Sequence, residues 1–227
     1  MTTHDPDARM DFMSKLTLTF DNGPEPEITP RVLDILARRG LKTTFFVVGQ
    51  KLLDPERMEL AIRAHEEGHR IGNHTFTHTT PLGQMEDPLA AVDELERTDA
   101  LIAKTGETGK LFRPFGGGGK LGPHLLNSQV VEFLHSKAYS CVLWNAIPRD
   151  WADPEGWLER ALEQIAIQEH TLMVLHDLPT GAMEYLDAFL DRAEASGTQF
   201  DTSFPNECVP MLDGKDTMPL APYVAAA

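Results

Sequence analysis

Two histidines four residues apart, His74 and His78 in "HTFTH", are the most specific chemical feature of the chain. At helical spacing, or on a strand-to-helix turn, positions i and i+4 face the same way, so two imidazoles can share one cation. Capping or surface histidines would show the same spacing, so the pair needs company before it reads as a site. That company is present. The β-prone run "LTLTF" (16–20) stops on Asp21-Asn22, two side chains that want water or a cation. Other short apolar runs stop on Arg113-Pro114-Phe115, on Asp150-Trp151 and on His176-Asp177. Groups able to hold a cation or move a proton thus end five separate runs.

The elements that must position these groups alternate between two periodicities. Strand-like runs are "LTLTF" (16–20), "TTFFVV" (43–48), "YSCVLW" (139–144) and "TLMVLH" (171–176), with weaker ones at 70–73, 110–113 and 198–200. Helical stretches lie between them. The first has Thr29 as its expected N-cap, Pro30 at its first helical position and Gly40 as its stop. Asp54-Pro55 and Asp87-Pro88 open the next two, and Gly68 and Gly106 close them. Later helices are expected near 122–138, 153–170 and 180–197.

Such alternation predicts an α/β protein with helices outside a parallel sheet, and about seven strands favour a closed or nearly closed barrel in one domain. Reactive groups of a barrel sit at the C-terminal ends of its strands, where the groups above fall. No GxGxxG opens a helix after a strand, and "GGGG" (116–119) is not followed by GK[ST], so dinucleotide and phosphate loops lack their fingerprints. The expected divisions are an N-terminal extension over 1–14, the barrel over 15–203 and an irregular tail over 204–227, rich in proline.

The totals narrow the partners. The 227 residues carry a formal net charge of −15, which argues against a nucleic-acid partner, whose phosphates demand Lys and Arg. No segment approaches the roughly 20 apolar residues of a membrane span. The start of the chain is polar and has no apolar leader, so a cytoplasmic protein is expected, or one from which a leader was removed. Cys141 and Cys208 are the two cysteines, expected as free thiols.

In order along the chain, these motifs resemble the polysaccharide deacetylases of the NodB-homology type, carbohydrate esterase family 4. The family's TFDDGP appears as Thr19-Phe20-Asp21-Asn22-Gly23-Pro24, and its H-[ST]-x-x-H as His74 to His78 after "EGHRIGN". Its RPPYG appears altered, as Arg113-Pro114-Phe115-Gly116-Gly117; its DW is Asp150-Trp151; its leucine before a histidine is Leu175-His176. The resemblance spans about 16–200. It implies a distorted (β/α) barrel of seven or eight strands and hydrolysis of an N-acetyl amide on a carbohydrate, assisted by a divalent metal. It further implies Asp21 as general base and His176 as general acid. Arg113 would hold Asp21, and Asp150 would orient His176. His74, His78 and Asn22 would be the metal ligands. Pro114, Phe115 and Gly116 would line the substrate groove, and Trp151 and Leu175 the acetyl pocket.

Two departures matter. Asn22 stands where the family usually has a metal-binding Asp; its amide is neutral, so a weaker cation site is expected, with zinc the most tolerant common metal. Gly116 stands where the family has Tyr, and four successive glycines predict a loosely held loop that could admit a bulkier substrate. The alternatives are a hydrolase of a small non-peptide amide or ureide with little or no metal, and a sugar-binding module without turnover.

Overall fold

The computed structural model describes residues 14–226. The expected N-terminal extension therefore lies almost wholly outside the described residues. Strands and helices alternate: β1 (Lys15–Asp21), α1 (Thr29–Arg38), β2 (Thr44–Val47), α2 (Pro55–Glu66), β3 (Arg70–Asn73), α3 (Pro88–Ile102), β4 (Leu111–Phe112), α4 (Ser128–Ser136), β5 (Ser140–Cys141), α5 (Trp157–Ala166), β6 (His170–His176), α6 (Leu186–Ala195) and β7 (Gln199–Asp201). A short hairpin follows, β8 (Met211–Leu212) and β9 (Lys215–Asp216).

The sheet runs β6-β1-β2-β3-β4-β5-β8-β9, with β7 on the first half of β1. All pairings from β6 to β5 are parallel, and only the hairpin is antiparallel. The chain after β5 bends back to meet β6 through a single bridge, Ala146 to Met173. There the Asn145 side chain stands in for a strand residue: its Oδ1 accepts from the Leu172 N–H (2.7 Å) and its Nδ2 donates to the His170 carbonyl (2.9 Å). The result is the distorted (β/α) barrel that the alternation predicted.

Side-chain alternation on β1 decides what the barrel holds. Leu16, Leu18 and Phe20 pack outward against Val32, Leu33 and Leu36 of α1 and Phe189 and Leu190 of α6. Thr17, Thr19 and Asp21 therefore point to the lumen, all nearly inaccessible to solvent. The β1–β6 ladder sets Asp21 beside His176 in register, which places both on one face.

Several expected elements shift. Thr29 lies inside α1 rather than capping it; the N-cap is Ile28 without a side-chain bond, and the Thr29 hydroxyl serves other partners described below. The last three helices are shorter than expected, because a 3-10 turn precedes α4 and α6 and turn residues precede α5. Asn127 caps α4 by accepting from the Val130 N–H (2.8 Å). The tail expected to be irregular contributes the hairpin, whose Met211 pairs with Cys141 of β5. Cys141 and Cys208 are buried free thiols. Among the described residues, no helix is long and apolar enough to cross a membrane.

Candidate active site

Arg113 organises the lumen. It follows β4, is fully buried, and lies 4.1 Å from the Phe46 ring centroid. Its guanidinium donates to the Thr19 hydroxyl (2.6 Å), Asp21 Oδ1 (2.8 Å), the Val142 carbonyl (3.2 Å) and the Leu143 carbonyl (3.1 Å). One planar fork thus ties β1 to the chain leaving β5, a task that a lysine ammonium could not share out in this geometry.

Asp21 keeps its second oxygen for the cavity, 3.6 Å from His74 Nε2. His74 donates from Nδ1 to the Arg113 carbonyl (2.8 Å), which leaves Nε2 as the free acceptor nitrogen. Burial lowers the pKa of His74, with Asp21 opposing it, and burial likewise lowers that of His78. Both imidazoles are thereby kept neutral, the form that ligates a cation. Their ring centroids are 4.8 Å apart, and the Phe115 ring stands 4.0 Å from His78.

The loop between the two histidines is held from outside. Glu94 of α3, itself buried, accepts from the Phe76 N–H (2.9 Å), the Thr77 N–H (2.7 Å) and the Thr77 hydroxyl (2.9 Å). Asn73 Oδ1 accepts from the Thr75 N–H (3.0 Å). Thr75 and His78 take left-handed backbone, with φ of 67° and 53°, as do Asn22 at 75° and Arg149 at 62°. Four of the six described non-glycine residues with positive φ therefore belong to loops that carry site groups, where such strain is held by surrounding structure.

His176 ends β6. Its Nδ1 donates to Asp150 Oδ1 (2.9 Å), and its backbone N–H donates to Asp150 Oδ2 (2.8 Å). Burial would lower its pKa, but the Asp150 hydrogen bond and the charges of Asp150, Asp21 and Asp177 prevail and hold it above the ordinary value. Trp151 packs edge-on against His176 at 4.8 Å between centroids.

These groups meet in one cavity of about 260 Å³. Asp21, Asn22, His74, His78 and His176 line it, together with Pro114, Phe115, Gly116 and Trp151. Arg113 and Asp150 stand behind that wall, acting through Asp21 and His176. Leu175 is the exception: it faces away from the cavity and packs in the core under the helices. Strand alternation explains this, since His176 and Val174 share a face and Leu175 takes the other; Val174 lines the cavity in its place. The glycine loop is also not loosely held. His124 Nε2 donates to the Gly116 carbonyl (3.2 Å) and Trp144 Nε1 to the Gly119 carbonyl (3.1 Å).

Glu94 and Trp144 escaped the sequence reading, and Asp177 entered it only as the residue after His176. Glu94 sits in an ordinary amphipathic helix, and Trp144 reads as strand core. Asp177 follows His176 and is fully buried. It accepts a bond from the Thr29 hydroxyl through Oδ2, while Oδ1 has no partner. A Cβ on Gly23 would stand 2.2 Å from Oδ2, so only glycine lets the loop after β1 lie on this carboxyl. Burial pushes the Asp177 carboxyl up to about 7, with the Thr29 bond opposing. A carboxyl raised in the fold binds its proton more tightly there than in the unfolded chain, so stability falls as pH rises from about 4 through about 7. Asp177→Asn should remove up to roughly 4 kcal/mol of that fall. The check is denaturant unfolding of both proteins across this range. Parallel pH curves would count against a protonated Asp177.

A family model for polysaccharide deacetylases matches residues 13–136, more than half of the chain. The chain belongs to the polysaccharide deacetylase family. It is 32% identical over 168 residues to a chitooligosaccharide deacetylase of Rhizobium leguminosarum bv. phaseoli, covering 71% of this chain and 67% of that one. It is 33% identical over 141 residues to a peptidoglycan-N-acetylglucosamine deacetylase of Bacillus cereus, covering 61% of each. The solved structure of peptidoglycan deacetylase PdaC from Bacillus subtilis matches with a TM-score of 0.68 and 27% identity, over 84% of this chain and 88% of that one.

Proposed function

We propose that this chain removes N-acetyl groups from an N-acetylated amino sugar, within an oligosaccharide or polysaccharide. The observation that carries it is the meeting of Asp21, His74, His78 and His176 on one cavity, with Arg113 and Asp150 fixing the first and the last.

Among the described residues, no group of three or more His, Cys, Asp and Glu is placed to hold a metal. The donor set instead pairs two neutral imidazoles with an amide: Asn22 Oδ1 is buried and has no hydrogen-bond partner. An orphaned amide oxygen lining the same cavity as two neutral imidazoles fits a divalent cation, and two imidazoles with one oxygen suit zinc with a position left open. His74, His78 and Asn22 would hold it. Such an ion supplies Lewis acidity toward the acyl oxygen and makes water more acidic.

The chain's own groups do the rest. Asp21, held by Arg113, takes the proton of the attacking water. His176, held protonated by Asp150, gives a proton to the departing amine nitrogen. The Gly116 N–H would donate to the oxygen on which charge develops, a role that needs only backbone. Phe115, Trp151 and Val174 supply apolar walls for the acyl group.

The test is zinc titration by calorimetry on chelator-stripped protein, paired with acetate release from N-acetylglucosamine oligomers. Zinc uptake together with acetate release supports the reading. Acetate release untouched by chelator and without zinc uptake would remove the metal from it. Hydrolysis of small amides or ureides instead of the sugars would favour the alternative to which neutral Asn22 points. Binding of the oligomers without any release would leave a sugar-binding module.

Glu94 offers a second check on the metal. Because Glu94 fixes the loop between the two imidazoles, Glu94→Gln should weaken zinc binding by roughly 10–100-fold, the usual effect of disturbing groups behind the ligands. Unchanged zinc affinity in a folded Glu94→Gln protein would show that the loop holds its shape without this carboxylate.

A further inference from the structure

Trp144 has no part in the chemistry above, yet it lines the cavity and is 6% exposed. Its indole does two things to the glycine strip 116–119. Nε1 holds the Gly119 carbonyl at 3.1 Å. The benzo edge fills the space where a side chain at position 116 would go: a Cβ there would stand 2.6 Å from Cη2 and 2.8 Å from Cζ2. At the far end of the strip a Cβ on Gly119 would come 2.5 Å from Ile147 Cδ1. Three successive glycines, Gly117 to Gly119, take positive φ of 55°, 89° and 86°, a course that side-chain-bearing residues rarely follow. The indole therefore holds the strip at both ends, by close packing at Gly116 and by a hydrogen bond to the Gly119 carbonyl.

This bears on substrate choice. If the acyl oxygen lies at the Gly116 N–H, the acyl carbon chain enters the space walled by Phe115, Trp151 and Val174, which Trp144 bounds beside the glycine strip. The cavity, at about 260 Å³, is at the small end for ligand sites. We propose that Trp144 is a specificity-determining residue that, by seating the glycine strip, restricts the site to short N-acyl groups such as acetyl. This rests on the deacetylase reading.

The experiment measures kcat/KM of the wild-type chain, Trp144→Ala and Trp144→Phe on N-acetyl-, N-propionyl- and N-butyryl-glucosamine oligomers. The wild type should favour acetyl over butyryl by tenfold or more, within the range an apolar pocket achieves per methylene. Trp144→Ala should cut that preference at least tenfold by opening the wall. Trp144→Phe keeps a ring but drops the N–H donor, and should cut it about threefold while speeding amide exchange in the strip. A residue with a merely structural role would slow all substrates alike. An unchanged acetyl-to-butyryl ratio in Trp144→Ala, or in Trp144→Phe should the alanine variant not fold, would overturn the proposal. So would a wild type that cleaves butyryl as readily as acetyl. A wild type that releases no acid from any of these sugars overturns the deacetylase reading itself, and this inference with it.

Discussion

Asp21→Asn should lower acetate release by roughly 10²–10⁴-fold, the usual worth of a positioned general base. The substitution is nearly isosteric, and its amide oxygen can still accept from Arg113, so the fold should survive. What it loses is the ability to take a proton at the face turned to the cavity, where Oδ2 stands 3.6 Å from His74 Nε2. The measurement needs two readouts. Initial rates on N-acetylglucosamine oligomers report the base, and zinc calorimetry reports the neighbouring imidazoles. A large rate loss with zinc affinity kept supports the assignment. Wild-type rates in the variant would reject it, and loss of zinc binding would show that Asp21 shapes the cation site instead.

The second large effect is on stability. Arg113→Met should cost about 3–5 kcal/mol, because removing one partner of a buried ion pair strands the other. Here the stranded groups are several: the Asp21 carboxyl, the Thr19 hydroxyl and the carbonyls of Val142 and Leu143 all lose a donor at once. In a chain of this length the melting temperature should fall on the order of 10 °C. Thermal unfolding followed by circular dichroism would show it. A fall of a degree or two would mean that water enters the lumen and solvates those groups. Arg113→Lys should restore only part of the loss, since an ammonium cannot serve four acceptors spread over one plane.

Most of this site was legible because polar side chains stood where apolar runs end. Asp21, His74, His78 and His176 were readable from that signal, and all four line the cavity. The acetyl-pocket role that the resemblance implies for Leu175 does not match its packing, which is in the core under the helices. Period-two alternation, already visible in "MVLH", puts Val174 on the histidine's face. Thr29 looked like an N-cap, yet the buried Asp177 takes its hydroxyl, a demand that arises only once β6 lies beside β1. The glycine strip seemed loose because glycine counts freedom in the unfolded chain. In the fold, His124 and Trp144, eight and twenty-five residues further on, fix its two ends. Glu94 and Trp144 show the same limit: their work depends on contacts far apart in sequence, which residue spacing cannot display.

The barrel's closure has a consequence for how the molecule breathes. Between β5 and β6 the ring is joined by one backbone bridge and by the amide of Asn145. That join is short, like the single-pair seam between β3 and β4, and it adjoins Trp144, Ile147 and Val174, which wall the cavity. Thermal opening should begin at such short seams rather than along the seven-pair β1–β6 ladder, so amide exchange should be fastest at these two seams. Asp21 and His176 sit together at the end of that long ladder, so the proton-moving pair stays in register while the seams beside it open.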